Sequence, residues 1–183
     1  LNDHHFHYGY WIMTAAMIAR FDPEWAETSN WGGMVELMIR DVASADRNDP
    51  LFPFLRSFDP YAGHGWAAGP GDFFSGNNQE SSSESMNCWA GMIHWGEETG
   101  NTEIRDLGVY LYATEVAAIE EYWFDVHEEI FPRIDYDQEV TGIHFGDGLA
   151  YATFFNGEEE AILGIQNIPV SGSSLYWGRY PNE

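Results

Sequence analysis

The chain is poor in the residues that most often announce a partner or a covalent cross-link. Its 183 residues hold 7 Lys and Arg together against 30 Asp and Glu, a formal charge of −23. Neutralising phosphates requires clustered basic side chains, so nucleic acid and anionic lipid are not expected partners. The single cysteine, Cys88, cannot form an internal disulfide, and its apolar helical surroundings mark it as a packed small hydrophobe rather than a nucleophile. No apolar run reaches the roughly 18 residues that a spanning helix needs, so no membrane insertion is expected. An initiating Met and a charged-then-apolar leader are also missing. The chain opens instead on LNDHHFHYGYW, already dense in polar and aromatic groups. It is therefore expected to be one domain, residues 1–183, cut from a longer protein whose remainder would be its structural partner.

What the chain has in excess is aromatic. Its 8 Trp, 10 Tyr and 12 Phe make 16% of the residues. Flat faces with polar tips suit the stacking and hydrogen bonding of pyranose rings, although a Trp-rich helical core would use most of them in any case. The periodicity predicts helices over about 7–20, 31–44, 81–98 and 102–123, and a short one near 158–165. Asp22-Pro23 stops the first, and Thr99-Gly100 stops the third. Residues 140–156 read as extended, with Gly-Asp-Gly as a hairpin turn. Residues 45–76 are rich in proline and glycine without a clean period, and so long a loop inside a compact domain is usually functional. The expected architecture is all-α, helical pairs joined by long loops, with one small β-hairpin.

Three clusters could carry chemistry. Asp3-His4-His5-Phe6-His7-Tyr8 precedes the first predicted helix. A metal site built from Asp3, His5, His7 and Glu80 is one reading, but the spacing matches neither His-Glu-x-x-His nor Glu-x-x-His. The second cluster runs from Arg56 to Ala67 in the long loop and mixes Asp59, Tyr61, His64 and Trp66 with glycines, the composition of a ligand-facing loop. The third is NQESSSE, where Glu80 and Glu84 stand one helical turn apart. Ser81 to Glu84 fits a capping box, with Ser81 as N-cap and Glu84 as its reciprocal partner. Alternatively, two close carboxylates raise each other's pKa and make a stronger base. One acid and one base on opposite sides of a sugar suffice for glycoside hydrolysis, and Asp3 with the Glu80/Glu84 pair could supply them.

Taken in order, the three clusters resemble glycoside hydrolase family 81, the endo-β-1,3-glucanases. The stretch Asn2 to Tyr10 is similar to N-D-H-H-F-H-Y-G-Y throughout. Arg56 to Ala67 resembles R-x-F-D-x-Y-x-G-H-S-W-A with Gly65 where Ser is usual, and Asn78 to Asn87 resembles N-Q-E-S-S-S-E-A-x-N with Ser85 for Ala. The segment TFFNGEEEAILGIQNIPVSGSSLYW matches the family more loosely, with Phe155, Leu163 and Val170-Ser171 as departures. The resemblance implies a partial (α/α)6 toroid and an inverting, endo-acting hydrolase of internal β-1,3-glucosidic bonds in laminarin, curdlan or cell-wall glucan. It implies Asp3 as general acid and Glu80 and Glu84 as the water-activating side, without saying which is the base. His7, Tyr8, Asp59, Tyr61, His64, Trp66 and Asn78 would line sugar subsites. It implies no cofactor, since carboxylates and water suffice, and an extracellular or cell-wall location. A carbohydrate-binding protein without turnover is the alternative of another class.

Overall fold

A computed structural model describes residues 2–68, 71 and 73–180. Its body is four helices in two antiparallel pairs: α1 (His4–Phe21) with α2 (Gly33–Ala43), and α3 (Ser82–Thr99) with α4 (Thr102–Tyr122). The helix stops act as their sequences imply. Asp22 closes α1 ahead of Pro23, and Gly100 leaves α3 in the left-handed region at φ 73°, open to glycine without the Cβ penalty. The start of α1 differs from expectation. It begins three residues earlier than the apolar pattern suggested, so the histidine cluster lies on the helix and its members fan out around it.

The two inner helices, α1 and α3, run parallel and touch backbone to backbone. A Cβ added at Gly9 would lie 2.9 Å from the Cβ of Cys88, and one at Gly91 would lie 3.0 Å from the amide of Met13. Successive contacts therefore advance along both helices in the same direction, and both N-termini reach the same end. α4 runs back along α3, where a Cβ at Gly108 would sit 2.9 Å from the amide of Ile93. Ile12, Trp89, Met92, Trp95, Leu111, Ile119 and Trp123 fill the core between them. Each buried indole withdraws on the order of 200 Å² from water, worth ~5 kcal/mol before ordering costs. Much of the aromatic excess thus belongs to the core.

At the shared N-terminal end the chain is not all-α. β1 (Phe58–Asp59) pairs with β2 (His64–Gly65), and β3 (Asn78–Gln79) joins β4 (Ile143–Phe145) and β5 (Gly148–Ala150) in a three-stranded antiparallel sheet. The hairpin expected within 140–156 is present and turns at Gly146-Asp147, but it forms two strands of a three-stranded sheet, beside a separate two-stranded ladder, rather than one isolated hairpin. Strands of two residues have no period to read, which is why β1, β2 and β3 escaped the sequence. The short helix α5 (Glu159–Gly164) and a 3-10 segment, Gly172–Arg179, complete the fold. No described helix is long and apolar enough to cross a membrane.

Candidate functional site

Two parallel helices that start side by side place their positive dipole ends together, each equivalent to roughly half a charge. The acidic residues of the first and third sequence clusters gather there. Asp3 is the N-cap of α1, yet its side chain makes no capping hydrogen bond, which leaves the carboxyl free. Its backbone is left-handed at φ 58°, a conformation that Asp tolerates better than most residues. The Asp3 N–H donates to the Ala67 carbonyl at 2.9 Å, and its own carbonyl accepts from the His7 N–H at 2.9 Å. The second cluster's loop thus holds the turn that aims Asp3. Burial raises the Asp3 pKa above the ordinary carboxylate value, against the pull of His7 and His4.

Glu80 bridges β3 and α3 and is half-buried. Burial raises its pKa first, then the negative charges of Asp3 and of Glu84, while the Phe154 backbone N–H opposes. Asp3 and Glu84 therefore both lie within electrostatic reach of Glu80. One Glu80 oxygen, Oε2, is buried without a hydrogen-bond partner. Glu84 resolves the capping question. Ser81 caps α3 by accepting from the Glu84 backbone N–H at 3.4 Å, so the Glu84 carboxylate is not spent in the cap. That carboxylate instead accepts from the Tyr10 hydroxyl of α1 at 2.9 Å.

Beneath the carboxylates lies a buried polar layer. His5 is fully buried and contacts Gln79 at 3.2 Å, and burial depresses its pKa to about 3. Glu115 of α4 is also fully buried and accepts from the Gly65 N–H at 3.0 Å and the Trp89 indole at 2.8 Å. Burial drives its carboxyl up to about 7, although the Trp89 and Gly65 hydrogen bonds pull the other way. His64 Nδ1 lies 2.7 Å from the Gly65 carbonyl, which can only accept, so that nitrogen carries the proton. Its Nε2 must then accept from His144 Nδ1 at 2.9 Å. Trp66 stacks on His144 and donates its indole N–H to Asp59 at 3.2 Å.

The residues expected to line subsites separate into two groups. His7 and Tyr61 are exposed, and Tyr8, Asp59 and Trp66 are partly so. His64 and Asn78 are buried and present no side chain to solvent; their place is under the surface, His64 through His144 and Asn78 through a carbonyl that accepts from Ala67 N–H at 2.7 Å. His4 turns toward Asp41 and Arg56 and His5 toward Gln79, and His5 is buried where His7 is exposed, which separates the two histidines of the metal reading. Sequence reasoning missed Tyr10, Glu115, His144 and Gln166. Only Tyr10 left a signal, since it stands three residues after His7 and seven after Asp3 on one helical stripe.

Comparison with known proteins bears on this geometry. Residues 1–180 match the family model described as the glycosyl hydrolase family 81 C-terminal domain. A "Glucan endo-1,3-beta-D-glucosidase" of Acetivibrio thermocellus is 53% identical over 182 residues, covering all of this chain and 23% of that protein. The "Primary septum glucan endo-1,3-beta-D-glucosidase" of Schizosaccharomyces pombe is 37% identical over 96% of this chain and 17% of that protein. A solved glycoside hydrolase family 81 structure from Clostridium thermocellum, in a mutant form, superposes with a TM-score of 0.96 at 52% identity. It covers the whole of this chain and 25% of that one. The chain thus spans between about a sixth and a quarter of the length of these proteins.

Proposed function

The chain belongs to glycoside hydrolase family 81, and from that premise we propose that it carries acid–base machinery for endo-hydrolysis of internal β-1,3-glucosidic bonds in glucans such as laminarin, curdlan or cell-wall glucan. The observation that supports this reading is the meeting of Asp3, Glu80 and Glu84 at the paired N-termini of α1 and α3, where each Glu80 neighbour acts on its ionisation. Asp3, its pKa raised by burial, stays protonated to a higher pH than a free carboxylate and donates to the leaving glycosidic oxygen. The Glu80/Glu84 pair removes a proton from the attacking water. The pathway is a single displacement that inverts the anomeric centre, which needs carboxyls about 6.5–9.5 Å apart across the sugar.

Exposed Tyr61 and partly exposed Trp66 and Tyr8 supply stacking faces, while His7 and Asp59 supply polar contacts. His64 and Asn78 act from beneath. The four helices are one arc of an (α/α)6 toroid, completed by the rest of a longer parent chain of which residues 1–183 form part of one domain. The parent acts on an extracellular or cell-wall substrate.

The test is turnover of laminarin by the full-length parent, with the product anomer followed by proton NMR. Initial release of the α-anomer supports an inverting mechanism, and initial β-anomer overturns it. Asp3→Asn, Glu80→Gln and Glu84→Gln are assayed separately, with azide added to small-residue variants of each glutamate. Azide restores turnover to the variant lacking the base and so separates the two. Wild-type activity retained in all three single variants would refute the assignment.

A further inference from the structure

Three consecutive serines follow Glu80, and only the first is needed for a helix cap. Ser81 Oγ accepts from Glu84 N–H, but it also donates to the Ile165 carbonyl at 2.9 Å. Ser83 Oγ donates to the Ile168 carbonyl at 2.6 Å. Between them, Ser82 gives both its backbone N–H, at 3.0 Å, and its hydroxyl, at 2.9 Å, to the side-chain oxygen of Gln166. The amide nitrogen of Gln166 donates to the Glu80 carbonyl at 2.6 Å and to the Gly142 carbonyl at 2.9 Å. Gln166 has no solvent exposure, and these four bonds use both lone pairs and both protons of its amide. The amide has one orientation only. Two backbone carbonyls can only accept and a backbone N–H can only donate, so oxygen and nitrogen cannot be exchanged.

We propose that Gln166 is a positioning residue for the hydrolytic reaction, acting through Glu80. It grips the chain on both sides of the Glu80 side chain, at Glu80's own carbonyl and at the Ser82 N–H. It ties that grip to Gly142, which leads into β4, the strand that pairs with β3 immediately before Glu80. Glu80 sits at a junction where a strand ends and a helix has not begun, so neither ladder nor helix fixes its backbone. Gln166 supplies what both lack. With the flanking peptide held, the Glu80 carboxyl is directed toward Asp3 and Glu84 while its Oε2 is left without a hydrogen bond, which suits an oxygen kept for water or substrate.

This inference rests on the proposed hydrolase reading, and its test separates the two. In the full-length parent, Gln166→Glu and Gln166→Met are compared with wild type for kcat, KM and pH profile on laminarin, with folding checked by thermal unfolding. Because one misplaced catalytic group costs on the order of 100-fold, kcat should fall by about that factor in Gln166→Met at near-constant KM. Gln166→Glu should regain activity on acidification, since only a protonated carboxyl can donate to the Glu80 carbonyl. In a Glu80→Gln background neither change should lower kcat further. Should the Gln166 variants not fold, Ser82→Ala removes one of the four bonds and should lower kcat several-fold. Folded variants with wild-type kcat and pH profile, or losses undiminished in the Glu80→Gln background, overturn the inference. An inactive wild type overturns the hydrolase reading on which it depends.

Discussion

The hydroxyl of Tyr10 on α1 donates to the carboxylate of Glu84 on α3 at 2.9 Å, a bond between residues 74 positions apart that crosses the seam of the two parallel helices. Burial and this acceptor raise the Tyr10 pKa, so the phenol remains a donor over the whole working range. Tyr10→Phe removes the donor and leaves the ring. A hydrogen bond to a charged group contributes about 1.5–3 kcal/mol, and the exposure of Tyr10 places this one at the low end, so kcat/KM should fall roughly 10-fold. In a Glu84→Gln background the same substitution should cost much less. Equal losses in both backgrounds would show that Tyr10 acts elsewhere.

Asp3 offers a separation of charge from conformation. Its left-handed backbone suits Asp and Asn but burdens Ala by about 1 kcal/mol or more. Asp3→Asn should therefore abolish turnover with little change in unfolding midpoint, whereas Asp3→Ala should abolish it and also lower the midpoint. Equal midpoints for the two variants, measured by calorimetry, would remove the conformational argument.

Three histidines beneath the carboxylates, His5 and His64 buried and His144 partly so, should make the fold sensitive to acid. Burial holds His5 and His144 near 3 and His64 near 4, below the ordinary 6.5. Each folded-state value is depressed, so the stability it contributes is complete above about pH 6.5 and drains as pH falls toward 4 and 3. The unfolding midpoint should drop clearly between pH 7 and pH 4.5. A flat profile over that window contradicts these neutral imidazoles.

Glu115 works in the opposite sense. Its folded value of about 7 lies above the ordinary 4.5, so its contribution is complete below about pH 4.5 and is lost as pH rises through 7. Glu115→Gln keeps an oxygen for Gly65 N–H and the Trp89 indole and removes the ionisation. Relative to wild type, the variant should gain stability with rising pH, by up to about 3 kcal/mol at pH 7.5. Urea unfolding at pH 4.5, 6 and 7.5 reads this directly, and a constant difference across the three would refute it.

The close approach of the inner helices makes a further prediction. Gly9→Ala brings a methyl to 2.9 Å from the Cys88 side chain and close to its backbone, so one helix must shift. Overpacking of this kind costs about 1–3 kcal/mol. The unfolding midpoint and kcat should fall together, because the shift also moves Asp3 and Tyr10 relative to Glu84. Normal kcat with a lowered midpoint would uncouple helix spacing from the site.

The helices were legible because their stops are local: Asp22-Pro23 and Gly100 end α1 and α3 wherever the partners lie. Asp3, Glu80 and Glu84 were legible because their neighbours form long motifs. The supporting layer was not. Gln166 reaches Glu80 from 86 positions away, His144 reaches His64 from 80, and Glu115 reaches Gly65 from 50. No local period encodes such pairs. Buried His64 and Asn78 illustrate the same limit, since a polar residue in a ligand-like loop reads identically whether it faces solvent or props up its neighbours.

Where glycine lets two helix axes nearly meet, the width of the gap between opposing carboxyl groups becomes a property of the main chain. Side-chain rotamers then move those groups only about Cα positions that the helix contact fixes. Under the proposed hydrolase reading, variants that take bulkier or branched glucans should therefore differ in the loops at the rim, around Tyr61 and Phe154, and leave the spacing of the two inner helices untouched.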